Sequence, residues 1–191
     1  MSQFEYVSVI VAVVAGLAIV HLLRGIARFF DARGKWTPYW VHLLWTWNVF
    51  YSLIVFWWFT WVFRDLTGWN LFAFLFILLF ALVRYLQCVV LFPTETGSTD
   101  FRQIYFENRK PFFTFEIIAL WLALADVVLK DRLGVADYGA VLLPQAIVSV
   151  FATAMLLIAR HSTNRRFHAV YAVFAALVIL MGGAGGASLE P

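Results

Sequence analysis

Three ionisable side chains interrupt the long apolar runs of this 191-residue sequence: Arg84, Glu116 and Asp126. A charge in apolar surroundings is expensive, so such groups are paired or functional. Near Arg84, four runs bring polar groups to similar depth: His21 in the first, Asn48 in the second, Gln87 one turn beyond Arg84 itself, and Glu116 in the fourth. His42 lies shallower in the second run. In such a cluster Arg84 would be a fixed positive charge, Glu116 its counter-ion and His21 a group that titrates near neutral pH. Two readings stay open. The cluster lines a water-accessible vestibule, or Arg84 and Glu116 form a structural ion pair while Arg24 and Arg28 snorkel to headgroups. Asp126 and Gln145 lie apart, towards the opposite ends of their runs, where they would line an outer opening or cap a neighbour.

Other chemistries find no residues. A retinal Schiff base needs a lysine inside a span, and Lys35, Lys110 and Lys130 all fall in connections. His21 and His42 differ by about 9 Å of helical rise, which disfavours a bis-histidine haem. His161 and His168 flank a short connection and are expected to be solvated rather than metal ligands. Cys88, the single cysteine, excludes an intrachain disulfide and a multi-cysteine cluster. No His-Glu-x-x-His, Gly-x-Ser-x-Gly or phosphate-loop pattern occurs. The expectation is a non-enzymatic chain with no catalytic residue, metal or cofactor.

The elements that must position these groups follow from composition. The chain is 63% hydrophobic and 13% charged, against about 45–50% and about 25% in a soluble domain. Six apolar runs, at about 6–30, 39–63, 71–92, 112–129, 138–159 and 167–181, approach the roughly 20 residues that cross a bilayer. None alternates polar and apolar residues, so helices are expected rather than a barrel. The sequence therefore predicts an all-α polytopic membrane protein of one domain, with six transmembrane helices and short loops. The first run lacks a basic leader and is read as a span, not a cleaved signal.

Ten Lys and Arg residues follow runs one, three and five, and only Arg64, Lys130 and Arg132 lie on the other side. That asymmetry predicts a cytoplasmic location for the ten and places both termini outside. The basic balance is thereby a topology signal and gives no support to nucleic-acid binding. In the longest connection, Asp100 and Gln103 have capping-box spacing, and Phe101, Ile104 and Tyr105 share a helical face. A short interfacial helix over 100–110 is expected on the cytoplasmic side.

Eight of the nine tryptophans fall between Trp36 and Trp69. Trp36 and Trp40 near one edge, and Trp57, Trp58, Trp61 and Trp69 near the other, read as interfacial aromatic belts. Trp45, Trp47 and Tyr51 are deeper and need packing or polar partners. Ser8, Ala12 and Gly16 repeat at four-residue spacing, a pattern that lets helices approach closely within one chain or between copies.

The segments Phe4-Glu5-Tyr6-Val7-Ser8-Val9, Gly16-Leu17 to His21-Leu22-Leu23-Arg24-Gly25, Trp57-Trp58 and Asn108-Arg109-Lys110-Pro111-Phe112-Phe113 resemble a group of small uncharacterised bacterial multi-pass membrane proteins. The resemblance implies a bacterial inner membrane and carries no activity or site residue. Three functions are left for the structure to weigh. The first expectation is an oligomeric ion channel or transporter working through the polar cluster. The second is a non-catalytic accessory or scaffold subunit binding other membrane proteins, and the third a sensor of lipid, pH or a hydrophobic ligand.

Overall fold

A computed structural model describes residues 2–30, 36–66, 69–135 and 137–185. Among the described residues six α-helices make up the fold: α1 (Gln3–Ala27), α2 (Trp40–Thr60), α3 (Leu71–Leu91), α4 (Phe101–Arg132), α5 (Gly139–His161) and α6 (Arg165–Gly185). Short 3-10 turns extend α1 over Arg28–Phe30 and α2 over Trp61–Asp65. Five segments, those built on α1 to α5, are long and apolar enough to cross a membrane. The chain has the build of a multi-pass membrane protein.

Local signals explain where the helices begin and stop. Ser2 and Glu5 close a capping box on α1, the Ser2 hydroxyl accepting from the Glu5 amide at 3.1 Å. Asn70 caps α3 by accepting from the Ala73 amide at 2.9 Å, and Asp100 caps α4 through the Arg102 amide at 2.8 Å. Such side-chain acceptors satisfy amides that have no partner within the helix. Pro93 sits two residues beyond α3, where a helix cannot propagate.

The central helix is α3, which packs against α1, α2 and α4; α5 lies on α4 and α6 on α2. Two apolar cores result. The larger fills the end where α1, α3 and α5 finish, hereafter the basic end, around Leu22, Trp45, Phe92, Phe101, Tyr105 and Phe113. The smaller, around Val7, Val11, Phe63, Ile77 and Ala81, fills the opposite end.

The interfacial helix expected over 100–110 is instead the first third of α4, which runs unbroken through Pro111. Phe101, Ile104 and Tyr105 are 0–3% exposed and belong to the core. The reason is a continuous face: Phe112 and Phe113 extend the same apolar stripe beyond the proline, and burial of that stripe outweighs one lost backbone hydrogen bond. Within the single chain, the closest helix approach along α1 lies away from the small-residue repeat. Ser8, Ala12 and Gly16 are half-buried, and a Cβ at Gly16 would meet no atom within 4 Å. The close approach is at Gly25, where a Cβ would lie 2.3 Å from Cγ of Phe92.

Candidate functional site

The predicted polar cluster resolves into two groups. At mid-helix, α3 supplies Arg84 and Gln87 one turn apart, and α4 supplies Glu116. Arg84 Nη1 donates to Glu116 Oε2 at 2.7 Å and to Gln87 Oε1 at 2.8 Å. The Gln87 amide in turn donates to the same Glu116 oxygen. This closed triangle ties α3 to α4, with Gln87 0% exposed and the Arg84 side chain 8% exposed. The guanidinium also sits 5.6 Å from the Phe80 ring centroid. Each charge is thus neutralised at contact distance, which a low-dielectric setting requires.

His21 and His42 do not join Arg84. Both reach the C-terminus of α3, where the last carbonyls of a helix lack intrahelical donors. His42 Nε2 donates to the Leu91 carbonyl at 2.9 Å and His21 Nε2 to the Phe92 carbonyl at 2.8 Å. Arg28 Nη1 donates to the next carbonyl, Pro93, at 3.1 Å while its guanidinium lies 5.3 Å from the Trp36 ring centroid. Three consecutive carbonyls are therefore held by side chains from α1, its terminal turn and α2. Because a carbonyl only accepts, both rings carry hydrogen on Nε2. The Arg28 guanidinium positioned here also complements the negative end of the helix dipole.

Around this collar the connections zip together, Thr37 and Thr99 pairing through their backbones at 2.9 Å and Phe101 and Thr37 at 3.1 Å. Phe29 stacks on Phe101 at 3.9 Å between centroids. Tyr39, just before α2, is buried enough that its phenol is raised above the ordinary range, with Arg165 and Arg102 acting in the opposite sense.

Asn48 points elsewhere, donating to the Ala172 carbonyl of α6 at 3.4 Å. Asp126 pairs with Lys130 at 2.5 Å along α4, and Gln145 is half-buried on α5. The expectation for Lys130 is corrected: it is helical, 2% exposed, and lies over the rings of Phe63 and Phe59 at 4.9 and 5.7 Å. A lysine thus does lie inside an apolar helix, so its position alone does not exclude a retinal Schiff base. The Asp126–Lys130 spacing of four was visible in the sequence as a helical pair.

His168 is corrected as well. It is 0% exposed, donates from Nε2 to Ser162 at 3.1 Å, and accepts from the Tyr105 hydroxyl at 2.8 Å. The long α4 makes this bond, since its first turns reach α6; no sequence spacing could reveal it. His161 is exposed, and among the described residues no three His, Cys, Asp or Glu side chains converge as metal ligands.

The aromatic belt residues divide similarly. Trp40, Trp57, Trp58 and Trp61 are 43–56% exposed, as side chains at a membrane interface would be. Trp36 stacks on Phe101 at 5.1 Å, and Trp69 packs against Phe4 and Phe63. Of the deeper aromatics, Trp45 is buried against Phe112 and Phe113, whereas Trp47 is exposed and stacks on Tyr51. Arg33 and Lys35 lie outside the described residues. In comparisons with family profiles, curated proteins and solved structures, nothing matches this chain.

Proposed function

We propose that this chain is a bacterial inner-membrane protein with six spans and both termini outside, serving as a non-catalytic accessory or scaffold subunit. Its partner would be another membrane protein or a second copy. One observation carries this reading: the charged groups and the two histidines described above are engaged within the chain. Arg84, Gln87 and Glu116 close on themselves, Lys130 takes Asp126, and His21 and His42 hold backbone carbonyls. Groups engaged in this way support shape, and they leave the apolar surface to do the recognition. α5 offers such a surface, with Leu143, Ile147 and Val150 60–70% exposed on a helix that packs mainly on α4. The length of α6, 21 residues, is about 31 Å of helix and suits a sixth span.

An oligomeric channel or transporter is the second reading, favoured by the 13% exposure that the Glu116 side chain keeps. Proteoliposome flux separates the two. We expect no selective ion flux from the wild type, and flux lost in Arg84→Ala would overturn the scaffold reading. A photoreactive residue at Ile147 in native membranes should give a discrete protein adduct; lipid adducts alone would count against it.

A further inference from the structure

Beyond that reading, we infer that the cleft between α3 and α4 at the end opposite the basic one is a binding slot for a single anionic phospholipid. The cleft has a volume of about 730 Å³, within the roughly 300–1,000 Å³ range of pockets that enclose a small apolar ligand. Small residues, Ala73 on α3 and Ala125 on α4, line it together with larger neighbours, Phe76 and Trp121 among them. Measured along α4 from Arg132 back to Trp121, the slot is about 16 Å long, close to half of a hydrocarbon core about 30 Å thick. It is therefore one leaflet deep.

The mouth selects the headgroup. Among the described residues that line the slot, the hydrogen-bonding side chains at its mouth are Asn70 and Arg132. The Asn70 carboxamide oxygen is committed to the Ala73 amide, so its NH2 group remains as donor. Arg132 is exposed at the last position of α4, and neither an ion pair nor a hydrogen bond engages its guanidinium among the described residues. The nearest cation along the helix, Lys130, is already neutralised by Asp126. Donors at the mouth and apolar walls below match a phosphate-bearing headgroup with one acyl chain descending into the slot, and the unpaired charge favours a lipid of net negative charge.

The test is native mass spectrometry of the purified full chain in detergent, titrated with phosphatidylglycerol or phosphatidylethanolamine. One phosphatidylglycerol should be retained with about tenfold preference, because phosphatidylethanolamine offers the same phosphate but sets its own ammonium near the Arg132 charge. Arg132→Gln should remove that preference, and Arg132→Lys should keep most of it. Ala125→Phe should abolish retention of both lipids by filling the slot, with circular dichroism confirming that the variant is folded. Equal retention of the two lipids, or retention unchanged in folded Ala125→Phe, would overturn the assignment. So would a photoreactive residue at Ala125 that captures a protein helix in native membranes.

Discussion

The two ends of this bundle are held by different kinds of contact. At the basic end and mid-helix, polar bonds join residues far apart in sequence: His21 to Phe92, His42 to Leu91, Tyr105 to His168 and Arg84 to Glu116. At the opposite end several polar bonds among the described residues are local, as in Lys130–Asp126, Asn70–Ala73 and Thr60–Trp57. Tertiary contact there is aromatic and apolar, through Phe4–Trp61, Phe63–Trp69 and Phe56–Phe80. Directional bonds fix one geometry, and apolar contacts accept several. The first end is built to hold a shape, and the second has room for the α3–α4 slot.

This contrast can be tested by substitution, with unfolding in detergent as the readout. Glu116→Leu should have the largest effect, a loss of about 3–5 kcal/mol, because it strands a buried guanidinium. Adding Arg84→Met should restore most of that loss; a double variant as unstable as the single one would mean that the pair does not act as a unit. Gly25→Ala should cost about 1–3 kcal/mol by overpacking against Phe92. The same change at Gly16, where the space is open, should stabilise by about 0.5–1 kcal/mol through helix propensity. A destabilised Gly16→Ala variant with a smaller assembly mass would place an oligomer seam there instead. Asp126→Asn should cost less than Glu116→Leu, about 1–3 kcal/mol, because the Lys130 side chain is 3% exposed but keeps an amide oxygen as acceptor and the rings of Phe59 and Phe63. If it proved as damaging as Glu116→Leu, the distinction between the two ends would fail.

The sequence-based reading was strongest for elements that local pattern specifies. All six apolar runs are helical, and α3 follows its predicted limits to within a residue. Arg84, Gln87 and Glu116 were legible as a group because charges inside apolar runs need partners at similar depth. His21 and His42 were grouped with them on depth alone, and depth does not say which way a side chain turns. The separate interfacial helix expected over 100–110 shows the same limit, for the buried face that carries α4 through Pro111 exists only once α2 and α6 pack against it.

Composition and periodicity by themselves determined that the chain is all-helical, where its apolar helices lie, and that few ionisable groups enter them. These properties depend on residues within a turn or two of each other and on solvent preference. Only the tertiary structure decided that two histidines and Arg28 collar the end of α3, that His168 meets Tyr105, that Lys130 is buried, and that Gly25 rather than Gly16 is the close approach. Each of these rests on a helix meeting another at a particular rotation and depth. That is set by the sum of all the packing contacts at once, and no local stretch of sequence encodes it.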